Sequence, residues 1–192
     1  SVDQYRFSVG AGDSIYVDVL SCPGSYYLNW KLVDDVTGAQ KGSGGCGDGQ
    51  LTNLAAGTYR LVLTVSNERT GAYSLQLFKV PPVQTFDVSL ASPLDVSDQA
   101  PAAGAGNLET KASVDQYRFT LAAGQAAYVD VLSCPGSYYL NWKLVDDATG
   151  TQKGSGGCGN GQVLNLAAGT YRVVVTPSSE RIGSYSMRLR SA

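Results

Sequence analysis

A chain of 192 residues is long enough for one or two domains, each with its own hydrophobic core. Hydrophobic residues make up 43% and charged residues 16%, with a formal net charge of -2, which excludes a disordered acidic tail and a polybasic nucleic-acid binder. There is no histidine, so Ser-His-Asp and Cys-His catalysis, His-ligated zinc and an ordinary general base near neutral pH are excluded as well; an enzyme would depend on carboxylates or lysine alone.

The 23 Gly and 12 Tyr, set against one Met, predict many turns and aromatic strands rather than long helices. No apolar run approaches the ~18 residues that cross a bilayer, so no membrane insertion is expected. Ser1-Val2-Asp3-Gln4 has no signal-peptide character, and the sequence reads as a mature or excised segment.

In chain order, the first element already contains the organising fact. Ser1-Val-Asp-Gln-Tyr-Arg-Phe7 recurs as Ser113 to Phe119, and the offset of 112 then holds to the end of the chain. About 58 of the 80 paired positions are identical, so the two copies look recently duplicated. A period this long suits a whole domain rather than a solenoid turn. The division expected is a first repeat over 1–80, a linker with the first strand or strands of the second repeat over 81–112, and a second repeat over 113–192.

Within each copy the period is two. Tyr5, Phe7 and Val9 alternate with polar neighbours, as do Ile15, Val17 and Val19, then Tyr59, Leu61, Leu63 and Val65, then Tyr73, Leu75 and Leu77. Turn residues such as Ala11-Gly12-Asp13, Thr37-Gly38, Asp48-Gly49 and Ala56-Gly57 separate them. In the spacer, Gln84 to Leu90 is strand-like and Pro101 to Gly106 reads as a loop. The fold expected is all-β: two tandem antiparallel β-sandwiches, jelly-roll-like, from an internal duplication.

Four cysteines fall two per copy, and four allow three connectivities. A repeat that folds alone closes its own bond, which predicts Cys22 with Cys46 and Cys134 with Cys158. A loop of this length is worth ~3.5 kcal/mol on the chain-entropy account. Disulfides imply an oxidising compartment, extracellular or at the cell surface. The rival, one four-thiolate metal site, lacks the closely spaced pairs such sites use.

Four groups of residues are candidates for chemistry. Asp34-Asp35 and Asp146-Asp147 are adjacent carboxylates at the start of a turn; hard oxygen ligands there suit calcium, with Asp48 joining in the first copy and replaced by Asn160 in the second. Otherwise they are solvated turn residues. Tyr26, Tyr27 and Trp30, with their copies Tyr138, Tyr139 and Trp142, offer ring faces for a sugar or a protein; alternatively the tryptophans fill the core and the tyrosines cover the disulfide loop. Lys41 to Gly47 contains a literal G-x-G-x-x-G, yet no helix follows to meet a pyrophosphate, so it reads as a flexible loop tethered by the disulfide. Asp3 and Asp115 stand at strand entrances, where an Asp binds an ion or satisfies backbone amides. Tyr59, directly after Ala55-Ala-Gly-Thr58, is placed to tie back to the preceding turn as in a tyrosine corner.

The run Val2-Asp-Gln-Tyr-Arg-Phe7, then Ala11-Gly12, Leu32-Val33-Asp34 with Gly38, Ala56-Gly-Thr-Tyr59, and Gly71-Ala-Tyr-Ser-Leu75 resembles the bacterial pre-peptidase C-terminal domain and related repeats of large secreted bacterial proteins. Both copies match. The resemblance implies a β-sandwich that serves as a non-catalytic appendage of a secreted or surface protein, with polysaccharide, matrix protein or other copies of itself as partners and calcium in some relatives. It further implies a strand before the Asp-x-Tyr-x-Phe strand, supplied here for the second copy by the segment around Thr85 to Leu90. The first copy then presents an open sheet edge, and the expected role is structural or adhesive, with head-to-tail assembly by strand complementation. A carbohydrate- or matrix-binding module is the alternative.

Overall fold

The computed structural model describes residues 2–23, 27–66, 70–178 and 181–192. The chain divides into two compact units, unit 1 at Ser1–Val80 and unit 2 at Pro81–Ala192. Among the described residues no helix is long and apolar enough to cross a membrane.

Unit 1 contains β1 (Val2–Val9), β2 (Asp13–Ser21), β3 (Leu28–Asp34), β4 (Gln40–Gly44), β5 (Gly49–Leu54), β6 (Gly57–Val65) and β7 (Ser74–Lys79). They form a four-stranded sheet, β1-β6-β3-β4, and a three-stranded sheet, β5-β2-β7. All pairings are antiparallel. The period-two pattern is the cause: in β3, Leu28, Trp30 and Leu32 are buried while Asn29 and Lys31 are exposed, so one face of the strand has to be covered. The core joins Leu28, Trp30, Leu32, Leu61 and Leu63 of one sheet to Ile15, Val17 and Leu51 of the other.

Unit 2 adds three elements before the equivalent set: β8 (Gln84–Asp87), β9 (Leu94–Val96) and β10 (Asn107–Leu108). Then follow β11 (Asp115–Leu121), β12 (Ala127–Ser133), β13 (Leu140–Asp146), β14 (Gln152–Gly156), β15 (Gly161–Val163), β16 (Gly169–Pro177), β17 (Gly183–Ser184) and β18 (Ser186–Ser191). Its main sheets are β14-β13-β16-β11-β8 and β15-β12-β18-β9, with β10 paired to β17. Both main sheets are therefore one strand wider than those of unit 1, and both extra strands come from the segment before β11.

That segment departs from expectation in two ways. The strand-like stretch from Gln84 to Leu90 stays a strand only as far as Asp87. It also pairs with β11 in parallel, Gln84 opposite Asp115 and Asp87 opposite Arg118, so unit 2 is not a purely antiparallel sandwich. The reason is the path of the chain: between β8 and β11 it crosses to the other sheet to form β9 and returns through β10, and such a crossover brings a strand back in its original direction.

Lys41 to Gly47 is not a flexible loop. Most of it is strand β4, paired to β3 with Trp30 opposite Gly44. A Cβ at Gly44 would stand 2.6 Å from the Trp30 ring, and one at Gly49 would collide with the same ring. Gly156 and Gly161 make the same shelf under Trp142. Gly44 and Gly49 leave space for the indole and Gly42 for Leu51, so two of the three glycines of the phosphate-loop pattern serve packing between strands. Tyr59 donates to the Ala55 carbonyl at 3.0 Å and Tyr171 to that of Ala167 at 2.8 Å, closing the turn before the central strand in each unit.

Candidate functional site

Cys22 is bonded to Cys46 and Cys134 to Cys158, each bond within its own unit, and no cysteine is free. Two such bonds belong to an oxidising compartment, extracellular or periplasmic.

The paired carboxylates are engaged by their own surroundings. Asp34 accepts from the backbone N–H groups of Val36 and Thr37 at 3.0 Å, and Asp146 does the same for Ala148 and Thr149 at 3.1 Å. These amides, that of Thr37 foremost, hold the Asp34 carboxyl below the usual range, and the Thr149 amide does so for Asp146. Asp35 pairs with Arg60 and Arg6, at 2.5 and 2.9 Å, and Asp147 with Arg172 at 2.7 Å. Asp48 accepts from the Val19 amide at 2.7 Å and the Tyr16 hydroxyl at 3.1 Å. Among the described residues no three acidic or cysteine side chains are grouped to hold a metal ion.

The aromatic candidates separate. Trp30 and Trp142 are only 3% and 2% exposed, seated on their glycine shelves, so neither offers a ring face to a ligand. That corrects their candidacy as stacking residues. Tyr138 is 79% exposed, while Tyr139 is half-buried with the Arg181 guanidinium over its ring, and Tyr27 is half-buried. Tyr26 lies outside the described residues.

Asp3 and Asp115 each accept from a tyrosine hydroxyl. In unit 2 the Tyr185 hydroxyl donates to Asp115 Oδ2 at 2.6 Å, the two hydroxyls of Tyr117 and Tyr185 are 2.7 Å apart, and the Gly106 N–H donates to Tyr117 at 3.1 Å. The directions follow from the ends: Gly106 N–H to Tyr117, Tyr117 O–H to Tyr185, Tyr185 O–H to Asp115. The Tyr185 N–H donates in turn to the Gly106 carbonyl at 2.9 Å, so Gly106 is gripped on both sides. The relay is sealed: Asp115, Tyr117 and Tyr185 are buried, both tyrosines share one core with Leu90, Val96, Ala105 and Leu108 of the 81–112 segment, and Phe86 is stacked on Tyr117 at 5.2 Å. Burial pushes Asp115 up to about 6, aided by the charge of Glu109, and pushes both tyrosine hydroxyls above their ordinary value.

Unit 1 carries the same relay without the cover. Tyr73 donates to Asp3 Oδ2 at 2.6 Å and lies 2.8 Å from the Tyr5 hydroxyl. Among the described residues of unit 1, nothing stands where Gly106 stands in unit 2, and Tyr5 is 46% exposed where Tyr117 is 0%. Leu75 and Leu77 are half-buried; their counterparts Met187 and Leu189 are sealed. A groove of about 310 Å³ runs along Tyr5, Tyr73, Ser74, Leu75 and Leu77, and a hollow of about 160 Å³ opens between Asp3, Leu63, Gly71 and Tyr73. Beside it, β1 and β7 are edge strands, with no partner on their outer sides among the described residues. In unit 2 the backbone carbonyls of Val114 and Arg118 accept from Gln84 and Val88 at 3.0 and 2.8 Å, so the equivalent register turns the backbone groups of Val2, Gln4 and Arg6 toward the open edge.

This relay was not among the candidates read from sequence. Its signal was available: Asp-x-Tyr at 3–5 and the Tyr at 73 are the same in both copies, but only the fold brings residues 68 positions apart into contact.

No protein-family model matches the chain, and no curated protein sequence does. Among solved structures, it is similar to Aeromonas hydrophila PliG, a periplasmic inhibitor of g-type lysozyme, at 17% identity and a TM-score of 0.43 over 57% of this chain and 97% of that one. Salmonella Typhimurium PliG matches at 15% identity and 0.41, over 57% and 99%. The pre-peptidase C-terminal domain of Bacillus anthracis collagenase matches at 16% identity and 0.41, over 58% and 98%.

Proposed function

We propose that the chain is a non-catalytic, extracellular structural or adhesive repeat that joins other copies of the repeat head to tail by strand complementation at the open edge of unit 1. One observation carries this reading. The Asp-Tyr-Tyr relay and its flanking edges are closed by the 81–112 segment in unit 2 and lie open in unit 1, although the three relay residues are identical. An open edge beside an uncovered apolar groove is a template for another chain. Against catalysis stand the missing histidine and the engagement of both carboxylate pairs by arginine or backbone amides.

Self-assembly of the intact chain requires a docked segment to leave one unit as it fills another, so contacts are exchanged rather than added. Association therefore competes with closure in cis, at an effective concentration on the order of mM. Sedimentation velocity of the oxidised protein across the micromolar to millimolar range tests the reading, with chains expected to grow at the upper end. Gln4→Pro removes an outward-facing N–H from β1 without touching its ladder to β6, and abolishes that growth. A protein that stays monomeric throughout, or a Gln4→Pro variant that associates equally well, counts against it.

A further inference from the structure

We infer that unit 1 is an acceptor for one specific kind of segment: an extended chain with the pattern of residues 84–108, borne by another repeat, which clamps both sheet edges at once and hooks a glycine between Tyr5 and Tyr73. The inference rests on the strand-complementation reading and names the partner of that site. Unit 2 is the template, since it shows the same Asp-Tyr-Tyr relay with the occupant in place.

Carrying the unit 2 register back by 112 positions assigns each contact. Gln84 to Asp87 of the incoming segment lie parallel to Asp3 to Arg6, which sets the Phe86 ring on Tyr5 as it now sits on Tyr117. Arg118 holds Asp87 at 2.6 Å, and its counterpart Arg6 is placed to do the same, its side chain being 67% exposed and paired, among the described residues, to Asp35. Leu94 to Val96 pair with Leu189 to Met187, hence with Leu77 to Leu75, directly along the 310 Å³ groove. Leu108 pairs with Gly183, hence with Gly71, at the mouth of the 160 Å³ hollow, a space fit for its side chain. The two cavities of unit 1 thus lie where unit 2 places apolar residues of the segment.

Specificity lies in the hook. Gly106 has φ 73°, and a Cβ on it would collide with the backbone carbonyl of Ser97. Only a segment with glycine at that position both folds over and presents the N–H that Tyr5 lacks and the carbonyl that the Tyr73 amide would meet. One contact of unit 2 does not transfer: Arg188, which pairs with Asp95 at 2.6 Å, is replaced by Gln76. The acid at position 95 is therefore irrelevant to unit 1, while the acid at position 87 matters.

The test uses the full oxidised chain and a synthetic peptide of residues 81–112, with binding read by calorimetry and its location by hydrogen exchange. Saturable binding with new protection in β1 and β7 is expected. Gly106→Ala or Phe86→Ala in the peptide weakens it about tenfold or more, whereas Asp95→Asn leaves it unchanged. On the protein side Tyr5→Phe, at a half-exposed position that does not threaten folding, weakens binding of the parent peptide. No binding at millimolar peptide, protection confined to β11 and β18, or indifference to Gly106→Ala overturns the inference. Self-association of the chain without peptide capture overturns this inference and leaves strand complementation standing; peptide capture by a chain that stays monomeric does the reverse for self-assembly.

Discussion

The sealed carboxyl of unit 2 predicts an unusual dependence of stability on pH. Asp115 is 1% exposed, its Oδ2 accepts from Tyr185, and its Oδ1 has no hydrogen-bond partner within geometric reach among the described residues. Burial raises it to about 6, the Glu109 charge adding to the effect while Tyr185, the Gly106 amide and Tyr117 oppose it. The folded unit thus keeps this proton to higher pH than the unfolded chain does. Stability from the neutral carboxyl is fully present below about pH 4 and is lost as pH rises through about 6, the opposite of a salt-bridged carboxylate. A rise from the ordinary value of 3.8 to about 6 corresponds to a loss of ~3 kcal/mol across that window, as an upper figure. The two tryptophans, one buried in each unit, allow the measurement: in a Trp30→Phe background, Trp142 fluorescence follows unit 2 alone. Urea midpoints should fall from about pH 4 to about pH 7, and Asp115→Asn, which keeps the acceptor for Tyr185 but cannot ionise, should flatten the curve. A midpoint that holds or rises over that interval, or an equal slope in Asp115→Asn, refutes the assignment of a buried, proton-holding carboxyl.

The other expectations are more local. Cys134→Ser, by opening a loop whose ends are 24 positions apart, should lower unit 2 stability by ~3.5 kcal/mol on the chain-entropy account, read from the same Trp142 signal under non-reducing conditions. Gly161→Ala should cost about 1–3 kcal/mol because its Cβ meets the Trp142 ring, and a matching red shift in Trp142 emission would report the displaced indole. Leu108→Ala removes a fully buried side chain from the covering segment and should cost about 2–5 kcal/mol in unit 2. Unit 1, followed through Trp30 in a Trp142→Phe background, should not change. Loss of stability in both units would contradict the assignment of the segment to unit 2.

What the sequence determined by itself is whatever depends on neighbours along the chain. Side chains two apart on a strand face the same way, so the alternation in Ile15 to Val19 and Tyr59 to Val65 was enough to make the protein all-β, and Thr37-Gly38 was enough to end a strand. The motif order was enough to raise the resemblance to a pre-peptidase C-terminal domain, and paired cysteines were enough for the compartment. Three things waited on the tertiary structure. The tryptophans could be core or ligand platform until the glycines of β4 and β5, and of β14 and β15, were seen beneath the rings, because close approach between strands is invisible to local pattern. The direction of β8 depended on a crossover through the opposite sheet. The meaning of Asp3, Tyr5 and Tyr73 depended on what covers them: identical residues form a sealed relay in unit 2 and an open one in unit 1, since burial belongs to the surroundings of a side chain and not to its identity.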